Sequence, residues 1–159
     1  MMKNGLPAGK AGFTLIETVI YIVLLGVLIG GGVVAAFYIL DSAEKNKADI
    51  NVQAEGNFIV RKIEWALTGA TTINVVSPTQ LNVTKPGLPT MIFYLSGTDL
   101  KLGPDTSSGV NLNSSLVTLA TISGIIFTDI PAAGGKPEAV SASFNVNGKN
   151  FNLIKYLRK

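Results

Sequence analysis

The sequence predicts an α+β fold in which one long N-terminal helix, apolar on all sides at first and amphipathic further on, packs against an antiparallel β-sheet. Three observations carry this reading. Thr18 to Leu40 contains no charged residue. Ile59, Ile63, Ala66, Leu67 and Ala70 recur at helical spacing. After Gly69 the pattern changes to short β-branched or alternating runs separated by turn residues, and Asn147-Gly148 between two of them is a two-residue hairpin signal.

Length and composition limit the chemistry. A chain of 159 residues fits one modest domain plus a membrane or linker segment. Hydrophobic residues make up 47% and charged ones 14%, with a mean hydropathy of +0.40. That balance excludes disorder and places part of the apolar surface in lipid. There is no Cys and no His. Thiolate and imidazole metal sites, thiol nucleophiles and His-based triads therefore fall away, and an exported domain would have to hold without disulfides. G-x-S-x-G elbows, P-loops and dinucleotide fingerprints are missing too, so an enzyme is not expected. Thirteen Lys/Arg against ten Asp/Glu leave a net charge of +3, too mild to make nucleic acid an expected partner.

As a helix, Thr18–Leu40 would be about 34 Å long, enough to cross a bilayer. Lys3 and Lys10 precede it, while residues 41–50 set Asp41, Glu44 and Asp49 against Lys45 and Lys47. By the positive-inside rule the N-terminus stays cytoplasmic and the remainder is exported. Glu17 disturbs the apolar segment, because a carboxylate in lipid is costly and calls for a partner. A lone Glu near a helix end can also snorkel to the interface. Val34-Ala35-Ala36 offers small residues suited to signal peptidase, but a signal-peptide core of about 7–15 residues is shorter than this run, so retention of the helix is expected.

The hexapeptide Gly12-Phe13-Thr14-Leu15-Ile16-Glu17 follows a short basic leader containing Gly5, Pro7, Gly9 and Lys10 and opens directly into the apolar run. It resembles the N-terminus of type IV pilins and type II secretion pseudopilins. The resemblance implies a pilin-like α+β fold and a structural subunit without a cofactor. It further implies that a membrane aspartyl peptidase cuts between Gly12 and Phe13 and methylates the new amino group of Phe13. Glycine before the scissile bond lets a protease approach closely. By the same resemblance Glu17, fifth in the processed chain, pairs with the ammonium of a neighbouring subunit. Breaking a buried pair costs on the order of 3–5 kcal/mol, enough to set docking register.

Implied partners are other pilin or pseudopilin subunits, the prepilin peptidase, the inner-membrane assembly platform and the membrane itself. The implied location is the inner membrane with the head extracytoplasmic, then a filament or the cell surface. The implied divisions are a leader at 1–12, an assembly and transmembrane half-helix at 13–40, an amphipathic half-helix at 41–69 and a β head at 70–159. The likeness is specific over Gly12–Leu40 and only architectural beyond. A head that ends in a hairpin, after Trp65-Ala66-Leu67, looks more like minor pseudopilins than major pilins. The lack of Cys departs from the disulfide-closed loop of many major pilins. A reading from another class is a membrane-anchored extracytoplasmic binding module that keeps the helix as a tether and never polymerises.

Gly26, Gly30, Gly31 and Gly32 each cost about 1 kcal/mol relative to Ala inside a helix. They suit either close helix packing or local unwinding. No proline interrupts the apolar run, so no proline kink is expected. One nearly continuous helix from about Thr14 to Leu67, about 80 Å long, should end at Gly69. Phe58 and Trp65 are expected in the core.

Strands are expected at Thr72–Val76, Gln80–Thr84, Thr90–Leu95, Asp99–Leu102, Ile122–Ile130, Ala139–Val146 and Lys149–Leu157, forming a sheet of at least four strands against the helix. Gly103–Ser115 should be an exposed loop, enclosing a short strand at Val110–Leu112, and Ala132–Pro137 a second loop. Asp99, Asp105, Asp129 and Glu138 lack calcium-loop spacing; Asp129 with Glu138 is the one accidental pair. Lys149, Lys155, Arg158 and Lys159 lie near Phe151 and Tyr156. That end could contact DNA with aromatic stacking, but such charges more often form the solvated edge of a last strand, on which Lys discourages aberrant pairing.

Overall fold

The computed structural model describes residues 12–124 and 126–157, so the leader before Gly12, with Lys3 and Lys10, and the terminal Arg158 and Lys159 lie outside the described residues. The chain divides into two compact units, one ending at Asn46 and the other beginning at Lys47.

Helix α1 spans Leu15–Leu67. It begins one residue later than expected because Thr14 serves as its cap: Glu17 N–H donates to Thr14 Oγ1 at 3.4 Å, and Thr18 N–H to the Thr14 carbonyl at 3.2 Å. Thr14-x-x-Glu17 thus has the spacing of a capping box. At the other end Thr68 N–H still donates to Glu64, after which Gly69 turns to a φ of 71° and stops the helix, as its lack of a side chain permits. Lys85 Nζ donates to the Trp65 carbonyl, one of the last-turn acceptors that the helix itself leaves unpaired.

Sheet 1 is a five-stranded antiparallel meander, β1 (Thr72–Ser77), β2 (Gln80–Thr84), β3 (Met91–Ser96), β4 (Asp99–Gly103) and β5 (Val110–Asn111), paired in chain order. Sheet 2 comprises β6 (Leu119–Thr121), β7 (Phe127–Ile130), β8 (Ala139–Val146) and β9 (Lys149–Tyr156). β8 is its spine. β9 pairs along all of β8, while β7 and β6 divide the other edge, facing residues 139–142 and 144–146 respectively. The hairpin between β8 and β9 turns at Asn147 and Gly148, with φ of 45° and 89°, the positive values that a type I′ turn demands.

Both sheets send alternate side chains into one core. Ile59, Ile63, Ala66 and Leu67 from α1 meet Leu81, Val83, Phe93 and Leu100 from sheet 1, and Val140, Ala142, Phe144, Val146 and Phe151 from sheet 2. On β8 the intervening Ser141, Ser143 and Asn145 are only half-buried, the period-two alternation of a strand with one face inward.

Several expectations need correction. The strands form two sheets rather than one, bridged where Ile126 and Phe127 N–H groups both donate to the Pro78 carbonyl. The strand expected at Ile122–Ile130 starts only at Phe127, because Ser123 and Gly124 take positive φ and turn the chain. β6 was not anticipated; three residues hold too little alternation to announce a strand. Phe58 and Trp65 are not core: they are 52% and 47% exposed. Two ammonium groups lie over the Trp65 ring, Lys62 Nζ at 4.7 Å and Lys85 Nζ at 4.3 Å from its centroid, a cation–π arrangement on the surface.

The segment Gly103–Ser115 is also less open than expected. Asn113 is 4% exposed. Its Oδ1 accepts Leu100 N–H at 2.9 Å, and its Nδ2 donates to Asp99 Oδ1 at 2.9 Å and to the Val117 carbonyl at 3.1 Å. Asn113→Ala should therefore cost about 1–3 kcal/mol, because it strands the Leu100 amide; denaturant unfolding checks this, and an unchanged midpoint would refute it. Nearby, Asp105 accepts the Ser107 hydroxyl and N–H, then those of Ser108, and these bonds lower its carboxyl from 3.8 to about 2. The resulting ordering of this exposed turn is complete above the ordinary carboxylate range and is lost as pH falls through about 2. In the second loop, Ala133 and Lys136 form an isolated bridge around Gly134 and Gly135.

Candidate assembly site

Glu17 and Tyr21, four apart, lie along one face of the start of α1, and Phe13 stands just before the helix. Gly12, Phe13 and Thr14 precede the first helical residue and are exposed. Glu17 is half-buried, and Tyr21 Oη donates to its Oε1 at 3.1 Å. The Tyr21 ring also stands edge-on to the Phe13 ring, with centroids 6.3 Å apart and planes at 78°. The site residues expected from the sequence, Gly12, Phe13 and Glu17, thus fall within one short segment. Tyr21 was missed, although a Glu and a Tyr four apart on a helix is a readable donor–acceptor spacing.

Downstream, Gly26, Gly30, Gly31 and Gly32 lie within α1, and a Cβ added at any of them would meet open space. No proline interrupts the run and the helix is unbroken there. α1 contains a window long and apolar enough to cross a bilayer, none of it buried. So large a continuous apolar surface is not maintained in water by a monomeric protein.

In the head, two lysines of β9 pair with acids of the helix. Lys149 Nζ pairs with Asp49 Oδ1 at 3.2 Å and Lys155 Nζ with Glu64 Oε1 at 3.0 Å, both on α1. Phe151 is buried and stacked on Phe144, centroids 5.8 Å apart. Lys149 and Lys155 are thus ion-paired and the Phe151 ring is packed in the core, while Tyr156 is exposed. Asp99 is held by Asn111 and Asn113. Among the described residues no group of three His, Cys, Asp or Glu could hold a metal ion.

Sequence reasoning also missed Gly56. It is buried on α1, and a Cβ there would overlap the Phe151 ring. Its only signal is a glycine inside a strong helical pattern, which marks a close approach when no turn is wanted. A groove of about 590 Å³ lies between Asn51–Phe58 of α1 and Asn111–Leu116.

Residues 7–33 match the family model of the prokaryotic N-terminal methylation motif. The match contains Gly12, Phe13, Glu17 and all four glycines of the apolar run. No curated protein and no solved structure matches the chain. The motif supports the type IV pilin and pseudopilin family, whose members are structural rather than enzymatic, and it implies processing and assembly of that type. With the apolar helix it makes the N-terminal segment the membrane anchor.

Proposed function

We propose that this chain is a minor pilin or pseudopilin, a structural subunit of a type IV filament or a type II secretion system. The leader, residues 1–12, is removed after Gly12, Phe13 is methylated, and the subunit assembles through its N-terminal helix. The carboxylate of Glu17 receives the ammonium of a neighbouring subunit, two costly charges becoming one pair. The glycines at 26 and 30–32 let neighbouring helices approach closely. Before assembly the subunit sits in the inner membrane with a cytoplasmic N-terminus and an exported head. Its partners are the prepilin peptidase, the assembly platform and other subunits.

The observation that carries this reading is the methylation motif at residues 7–33 coinciding with the start of a helix whose apolar length is unburied. Intact-mass measurement of the protein from cells that possess the peptidase tests it. The expected product begins at Phe13 and carries one added methyl group. A product beginning at Met1, or at Phe37 after signal-peptidase cleavage, would sink the proposal.

A tethered binding module is the second reading, supported by the open groove beside Phe58 and Leu116. It predicts no dependence of behaviour on Glu17.

A further inference from the structure

We propose that Tyr21 is a positioning residue for the assembly contact: its hydroxyl holds Oε1 of Glu17 and leaves Oε2 directed at the amine of the arriving subunit. This rests on the filament-subunit reading and adds to it a residue with a stated job.

A carboxylate in a hydrocarbon medium is expensive unless donors satisfy it. In the unassembled subunit the neighbouring amine is absent, so some other donor must serve. Tyr21 lies one helical turn further on, on the same face, and its hydroxyl reaches Glu17 Oε1 at 3.1 Å. Thr18 Oγ1 donates instead to the Thr14 carbonyl at 3.3 Å, and Thr14 Oγ1 accepts Glu17 N–H. Among the described residues the phenol is the side-chain donor seen on the carboxylate.

The ring fixes the hydroxyl. Its edge-on contact with the Phe13 ring of the same chain restrains the Tyr21 side chain while its hydroxyl reaches Glu17. A carboxylate held at one oxygen has lost most of its rotational freedom before the second subunit arrives. The entropy of orienting it is then already spent, which is how preorganisation strengthens association. A bond to an ionised acceptor is also about twice as strong as a neutral one. The pair of contacts matters more than the helix terminus in which it lies.

Tyr21→Phe separates the two roles of the ring, because it keeps the contact with Phe13 and deletes the hydroxyl. The experiment compares full-length wild type, Tyr21→Phe and Glu17→Ala in cells that carry the peptidase and assembly machinery, at matched membrane abundance. The first readout is the fraction incorporated into sheared filaments or the secretion assembly. The second is the infrared carboxylate stretch of ¹³C-glutamate-labelled subunit in lipid vesicles, with the Glu17 band isolated by subtracting the Glu17→Ala spectrum.

Tyr21→Phe should incorporate about tenfold less, the loss expected for one hydrogen bond to a charged group, and the Glu17 band should shift relative to wild type. A merely structural tyrosine would leave that band in place. Incorporation equal to wild type, or an unmoved band, overturns the assignment of Tyr21, and if Glu17→Ala still fails to incorporate the subunit reading stands without it. Wild-type incorporation of Glu17→Ala overturns the subunit reading and the assignment of Tyr21 together.

Discussion

If the proposed subunit contact holds, Glu17→Ala should abolish incorporation while leaving the head folded. The reason is the asymmetry of buried charge pairs. Removing one partner leaves an ammonium in lipid with nothing to receive it, at a cost on the order of 3–5 kcal/mol. At about 1.4 kcal/mol per factor of ten, docking then weakens by roughly two to three orders of magnitude. The change should not spread into the head, whose core draws on α1 only from Val52 onward. Immunoblots of filament and membrane fractions, together with unfolding of the solubilised protein, measure both halves. Glu17→Gln isolates the charge: it still offers Tyr21 an acceptor yet gives an ammonium no counter-ion, and it should fail nearly as badly. Normal incorporation of either variant would remove electrostatic pairing from the mechanism.

Phe151→Ala should be the most damaging change in the head, costing about 3–5 kcal/mol of stability. Phe151 is 8% exposed, stacks on Phe144 and fills the space that Gly56 leaves on the helix. The mirror-image substitution, Gly56→Ala, should cost about 1–3 kcal/mol, because the new methyl group overlaps the Phe151 ring and forces it out of its place against Phe144. Alanine's better helix propensity returns about 1 kcal/mol at most. The two changes should be strongly coupled, since the Gly56→Ala methyl meets no ring once Phe151 is truncated. Denaturant midpoints for both single variants and the double variant test this. Simple additivity would mean that the ring and the glycine do not meet in solution.

The parts of the fold that rest on repeating local pattern were legible. The run from Thr18 to Leu40, the stripe through Ile59, Ile63 and Ala66, and Asn147-Gly148 each express a period or a turn requirement within a few residues. Gly12, Phe13 and Glu17 were legible because a short motif contains them, and the match at residues 7–33 bears out the resemblance. Trp65 shows the opposite failure. At 3.6 residues per turn it lies roughly 140° around the helix from the buried stripe, yet its hydrophobicity alone suggested the core. Geometry, not residue type, decided its exposure, and two lysines now cover the ring.

What escaped the sequence depends on distant partners. Gly56 needs Phe151, Asn113 needs Leu100 and Asp99, and the link between the two sheets runs through the Pro78 carbonyl. None of these pairings leaves a periodic trace. Lys149 and Lys155 look like a free basic end until Asp49 and Glu64 are seen opposite them. Tyr21 was within reach of the sequence, since its partner is only one turn away.

The attachment of β9 to α1 governs when the head can finish folding. Lys155 and Glu64 are 91 positions apart. Phe151, which seals the core against Gly56, lies on β9 and is made long after the helix it covers. Until then the stripe at Ile59 and Ile63 lacks the cover of sheet 2, so closing this core depends on contacts between residues far apart in sequence. A polypeptide interrupted before Phe151 would therefore leave the helix uncovered at Gly56.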